Sequence, residues 1–325
     1  VIVVLVALLL TVIACIQIRE LRTDPNPYLL GENHPARRYY FDFFRETFSG
    51  SGIRVVVLLE SADTVFSPET LSRVQRLSGA FEKISIINDS DVAELDRHLA
   101  STDGPFTAEL RRVIKGELTA ETVFDIEDLL EKMRKAGQLS EQTRKRVQYF
   151  ISRLNPVGEV ASLSNTKNIL SSPAGLDISV IYEEVPDSRM ALDRIRREVL
   201  DNELFQKTLV SKDGKQTGIL IELEIEEDDA DAQYRIYDEI EKILQKQVPG
   251  REKTYVAGFP VVTSTLGNAI SHDAGRLTPV VLTLIVALLF ILFRTFKGIL
   301  VPVLVVVVSA LITLAAKVVS DIPLN

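Results

Sequence analysis

Charge is distributed along this chain in a way that few folds can accommodate. Of 37 basic and 45 acidic side chains, only Arg294, Lys297, Lys317 and Asp321 fall within residues 1–18 and 277–325. All the others crowd into residues 19–276. A stretch that excludes ionised groups over the thickness of a bilayer is expected to lie in lipid, where each charge costs kilocalories. The ordinary overall composition, 46% hydrophobic and 25% charged, is therefore the sum of a charged body and very apolar ends, which argues against a purely soluble enzyme.

Val1–Ile18 is apolar apart from Thr11 and Gln17. At about 1.5 Å per residue it spans about 27 Å, which predicts a first membrane helix over 1–18. Val12-Ile13-Ala14-Cys15 also fits a loose lipoprotein cleavage pattern, but no basic flank precedes it and cleavage would not explain the apolar far end. Val280–Phe293 and Ile299–Val319 predict two more helices, over 277–293 and 299–320. The turn between them, 294–298, carries Arg294 and Lys297 and no acid, so the positive-inside tendency makes it cytoplasmic. That orientation places 19–276 outside the membrane and 321–325 at the start of an outer loop. Lys317 falls near the outer interface, where its ammonium can snorkel. Pro279, Pro302 and Pro323 are expected at or near helix ends. Three helices with neither a basic start nor a natural end suggest the first part of a longer protein.

The body has an α+β pattern. Ile53–Leu59 is a β-branched run between glycines and polar residues, the mark of a buried strand. Ser67-Pro68 supplies a cap and a first-turn proline for a helix burying Leu71, Val74, Leu77 and Phe81. From about 91 to 155 a helix-rich stretch follows, with stripes at Ile126, Leu129, Leu130, Met133 and at Val147, Phe150, Ile151, Leu154. A lipid-contacting or partner-binding face is one reading of these stripes; the favoured one is that they pack on each other as a small helical subdomain inserted in the βαβ crossover. Strands are then predicted over 159–165, 176–181, 208–211, 218–225 and 253–257, with helices from Ser188 and around Ile236–Leu244. Asp213-Gly214 marks a tight turn between two of the strands.

No chemistry-bearing motif stands out. The single cysteine, Cys15, lies in the first apolar run, so the body has no disulfide or thiolate cluster. His34, His98 and His272 lack metal-ligand spacing, and no phosphate-binding loop or nucleophile elbow is present. The acidic run Glu222–Asp231 lacks calcium-loop spacing and is expected to be a solvated strand end before a helix. His272-Asp273 reads as polar residues where a helix leaves the bilayer. The acidic excess of the body argues against nucleic acid as a partner. No cofactor, metal or catalytic residue is expected.

Local patterns in the body and ends resemble those of a known group. They include Val160-Ala161-Ser162-Leu163-Ser164-Asn165, Leu209-Val210-Ser211-Lys212-Asp213-Gly214 and Ala257-Gly258-Phe259-Pro260-Val261. Asp273, Leu277-Thr278-Pro279, Phe293-Arg294-Thr295, Val301-Pro302-Val303 and Ile322-Pro323-Leu324-Asn325 follow in order. The arrangement resembles the resistance-nodulation-division (RND) superfamily, in its hydrophobe/amphiphile-exporter and MMPL (mycobacterial membrane protein large) branch. The helical stretch 91–155 is where the chain departs from the simplest porter pattern. The resemblance implies an α+β external porter domain of ferredoxin-like βαβ units plus transmembrane helices, in a multi-pass protein of the bacterial inner membrane. It further implies proton-driven export of a hydrophobic or amphiphilic molecule such as a lipid or drug, with a homo-oligomer or periplasmic partner left open. Gly258, Pro260, Asp273, Pro279 and Arg294 are carried as motif positions of structural character; the proton-relay acids of such transporters belong to later helices, and the substrate-binding residues are unknown. Two alternatives stand beside this reading, a receptor of the sterol-sensing type and a protein-export accessory of the same superfamily.

Overall fold

The computed structural model describes residues 52–295, apart from 101, 103, 120, 173–174, 227–228 and 248–250, and residues 304–313 apart from 307 and 311. The expected helix 1–18, most of the turn 294–298 and residues 321–325 lie outside the described residues. Two compact units divide the chain, one ending at Val262 and the other beginning at Thr263.

In the first unit, strand β1 (Ile53–Glu60) leads into helix α1 (Pro68–Phe81). Ser67 caps that helix, its hydroxyl accepting from the Thr70 amide at 3.2 Å. Four helices follow: α2 (Asp89–Ala100), α3 (Pro105–Ile114), α4 (Thr122–Lys135) and α5 (Glu141–Leu154). The chain returns through β2 (Val157–Ala161), a hairpin of β3 (Lys167–Ser172) and β4 (Gly175–Val180), and helices α6 (Arg189–Leu200) and α7 (Glu203–Thr208). Strand β5 (Gln216–Leu223), helix α8 (Ala230–Lys246) and strand β6 (Lys253–Gly258) complete the unit.

The main sheet has the order β2-β5-β1-β6, every neighbouring pair antiparallel. With β1, α1, β2, β5, α8 and β6 as the six core elements, this is the split βαβ, ferredoxin-like arrangement. Alternation decides which face is covered. Ile53, Val55, Val57 and Leu59 of β1 and Ile219, Ile221 and Leu223 of β5 are buried with Leu71, Val74, Leu77 and Phe81 of α1 and Ile236 and Ile240 of α8. Truncating one of the leucines or isoleucines among them to alanine is expected to cost about 2–5 kcal/mol. Arg73 of α1 pins this layer to the start of β6 through a buried pair with Glu252 at 2.9 Å.

The four helices α2–α5 are inserted between α1 and β2 and have a core of their own, with Leu99, Leu110, Ile126, Met133, Val147 and Phe150 at its centre. The stripes seen in the sequence thus meet each other.

Several expectations need correction. The strand expected over 159–165 ends at Ala161, because Ser162, Ser164 and Asn165 satisfy one another in a turn, with the Ser162 amide donating to Asn165 Oδ1 at 2.8 Å. Asp213-Gly214 does turn the chain, with Gly214 at φ 67, but residues 203–208 before it are helical and a single bridge, Val210 to Thr217, replaces the expected hairpin. Strand β5 pairs with β1 on one edge, Ile53 opposite Leu223, and with β2 on the other. The unforeseen strand β3 pairs with β4 in a separate two-stranded sheet.

Helix α9 (Phe259–Phe293) follows β6 without a loop and runs 35 residues, against the 277–293 expected. The change of hydropathy at residue 277 falls inside the backbone helix and does not mark its start. Its length, about 52 Å at 1.5 Å per residue, exceeds a bilayer's hydrocarbon core. It is the one helix among the described residues long and apolar enough to cross a membrane. Pro279, expected at a helix end, lies inside it; the Thr283 hydroxyl donates to its carbonyl at 2.7 Å. Residues 304–306, 308–310 and 312–313 are helical, within the expected third span.

Gly258 joins β6 to α9 at φ 145, and a Cβ there would come within 2.4 Å of the Arg54 carbonyl oxygen. Gly258→Ala is expected to cost about 2–4 kcal/mol by forcing β6 away from β1. The check is thermal unfolding of the purified full-length protein, with Gly275→Ala, where an added Cβ meets nothing within 4 Å, as the control that leaves the transition in place.

Burial works against the ionised form of Glu252, but hydrogen bonds from Thr70 and the backbone, and the Arg73 guanidinium, outweigh it and hold the carboxyl below the usual glutamate range. A lowered folded-state pKa contributes stability above that range and loses it as pH falls through the lowered value. Denaturant unfolding across an acid pH series should show this limb in the wild type and a flatter one in Glu252→Gln.

Candidate functional site

A cavity lies within the first unit, where the helical insertion meets the edge of the main sheet. It is an open groove of about 660 Å³. Helix α5 supplies one wall. Phe150 and Leu154 turn into the insertion's core, Ile151 packs partly against that core at the groove's border, and Gln148, Ser152 and Asn155 face the groove. The start of α4 supplies Val123, Phe124 and Glu127, and β2, the edge strand, supplies Val157, Gly158 and Val160. Glu82, Glu121 and Glu224 complete the rim. The lining is therefore apolar at its base and acidic at its edge, with no lysine or arginine. Phe124 is 72% exposed, a large ring left unburied beside the groove.

The α5 wall is held by a buried ion network. Arg153, in the last turn of α5, is 3% exposed. One of its terminal nitrogens contacts both oxygens of Asp229 at 3.0 Å, and the other contacts Asp231 at 2.7 Å and Asp91 at 3.3 Å. Arg235 closes the circuit, reaching Asp91 at 2.6 Å and Asp231 at 2.8 Å. Asp229 also caps α8, accepting from the Ala232 amide at 3.0 Å. The Arg153 guanidinium lies 4.5 Å from the centroid of the Tyr149 ring. Burial, with Asp229 nearby, pushes the Tyr149 phenol up to about 12, so it stays protonated. Burial opposes the charge of Arg153, yet Asp229 and Asp231 raise its pKa further above an already high value. The network joins the N-termini of α2 and α8 to the C-terminal end of α5, and so ties the insertion to the sheet layer. The acidic run before α8 is thus not simply a solvated strand end: two of its carboxylates compensate a buried cation.

The five motif positions do not converge. Gly258 and Pro260 form the β6–α9 junction, and Pro260 is buried. Asp273 is exposed on α9, its Oδ1 3.6 Å from His272 Nδ1. Pro279 lies further along that helix. Arg294 ends it at φ 50, a left-handed position more often filled by glycine, with its amide donating to the Phe290 carbonyl at 2.9 Å. None of the five lines the groove. The residues that do, and Arg153 behind them, were not singled out as a site in the sequence, because they come from segments far apart.

The sequence pattern of the MMPL family matches residues 105–322, well over half of the chain. The chain belongs to the MMPL family. Its members are membrane-embedded, RND-type transporters of hydrophobic substrates and not enzymes. No curated protein matches the sequence. The match begins at the first residue of α3, so its range takes in most of the helical insertion. All five motif positions and most of the groove also lie within it.

Replacing Arg153 by alanine would leave the largely buried Asp229 without its cation and Asp91 with Arg235 alone. Arg153→Ala is expected to destabilise the first unit by about 3–5 kcal/mol, and Arg153→Lys to recover only part of this, since one ammonium cannot serve three carboxylates. Thermal unfolding and limited proteolysis of the α5–β2 segment in the full-length protein measure both effects.

Proposed function

We propose that this chain is part of a proton-driven RND-type transporter that exports hydrophobic or amphiphilic molecules, lipids or drugs among them. Residues 19–276 form its extracytoplasmic porter domain, beside a multi-pass membrane domain in the bacterial inner membrane. The observation that carries this reading is the MMPL match, which runs through the groove-bearing unit and α9 alike. A groove of this volume suits a drug- or lipid-sized guest, since such sites usually measure about 300–1,000 Å³. The apolar base favours burial of a hydrocarbon portion, at roughly 25 cal/mol per Å² removed from water. Export needs an energy source, and a membrane carboxylate that is charged or neutral in turn is what proton coupling requires. The apolar part of α9, residues 277–293, contains no carboxylate, so in this reading the relay sits on another helix of the transporter.

The test compares a strain lacking the full-length gene with one carrying it, for envelope lipids and for accumulation of a hydrophobic fluorophore. Greater accumulation or altered lipids without the gene is expected, and a protonophore should abolish the difference in accumulation. Unchanged lipids and unchanged accumulation would contradict export, and a difference that survives the protonophore would contradict proton drive.

A further inference from the structure

Resting on the transporter reading, the groove beside β2 also indicates which kind of amphiphile it holds. We infer that it binds an amphiphile with a cationic head, whose apolar chain lies along Ile151, Val157 and Val160 and whose head meets Glu127 and Glu224. The argument is charge complementarity in an apolar groove. Four carboxylates line it and no basic side chain does. Two of the four have local work: Glu82 accepts from the Asn165 amide group at 3.1 Å, and Glu121 stands at the N-terminal end of α4, where a negative charge is favoured. Glu127 and Glu224 make no ion pair among the described residues, although the same surface pairs acids with bases freely elsewhere, as in Asp128–Lys132 and Glu131–Arg134.

Glu224 is also placed by the backbone. Gly158, at the bulge of β2, leaves so little room that a Cβ there would lie 2.8 Å from Glu224 Oε1. The absent side chain lets the carboxylate fold across the edge strand and into the groove. A cation bound there gains from two acids beside a surface of low polarity, while an anionic head of the same size is repelled. The aliphatic base and the exposed Phe124 favour a guest with a hydrocarbon chain over a purely basic peptide.

The test uses full-length protein in phosphatidylcholine nanodiscs carrying Phe124→Trp as a local reporter, its signal taken as the difference from the same protein with Phe124 in place. Dodecyltrimethylammonium and dodecyl sulfate, equal in chain length, are titrated below micelle formation, with oligolysine as a chain-free cation. The cationic surfactant should shift the reporter at about tenfold lower concentration than the anion. Glu127→Gln and Glu224→Gln should each weaken it about fivefold, the size of an exposed ion pair. Gly158→Ala, which removes no charge but displaces Glu224, should weaken it as well. Equal response to both surfactants, indifference to all three substitutions, or an oligolysine response matching the surfactant would overturn the assignment. These outcomes concern only the groove; the export reading stands or falls on accumulation and lipid content, which can change with binding intact.

Discussion

One buried guanidinium organises much of the first unit. Arg153 sits at the end of a helix whose other face packs in the insertion's core, and its partners come from the starts of α2 and α8. Because the carboxylates would be costly to bury alone, the helices that carry them have to stay together. The insertion is a separate hydrophobic cluster with no strand in common with the sheet. Apolar packing alone would leave its orientation weakly specified, whereas a multidentate charged contact selects one arrangement. In that arrangement the groove lies between α4, α5 and the edge strand β2.

Local grammar made much of the fold legible in the sequence. The Ser67-Pro68 start, the Ser188 cap and the stripes of α4 and α8 all depend on neighbours within a few residues, and the structure has helices at each. Strand existence was legible where β-branched runs are long, as in β1. What could not be read locally is pairing. Residues 208–211 and 218–225 flank a good turn, but β5 pairs with β1 along one edge and with β2 along most of the other, leaving the residues before the turn one bridge at Thr217. The end of the β2 strand was lost to serine and asparagine side chains that compete for backbone groups.

The groove was the least legible feature, for the same reason at larger scale. Glu82, Glu127 and Glu224 are unremarkable singly, each one acid among 45. Their meaning depends on which lie near a base after folding, and only the folded chain shows Asp229 and Asp231 taken up by Arg153 while Glu224 is left facing the cavity. Family membership and local geometry contribute different halves of the functional account. The MMPL match establishes a membrane-embedded transporter family, and in the proposed reading the shape and charge of the groove supply a place and a chemistry for what is carried.

The central claim is that a hydrophobic guest is held between the helical insertion and the edge of the ferredoxin-like sheet. Photoaffinity labelling addresses it most directly: an alkyl diazirine is irradiated with the full-length protein in nanodiscs, with and without excess unmodified competitor, and adducts are mapped by mass spectrometry. The account predicts competitor-sensitive adducts on residues 121–127 and 148–160. Competitor-sensitive labelling confined to α9 or other membrane segments, with none on those two stretches, would contradict it.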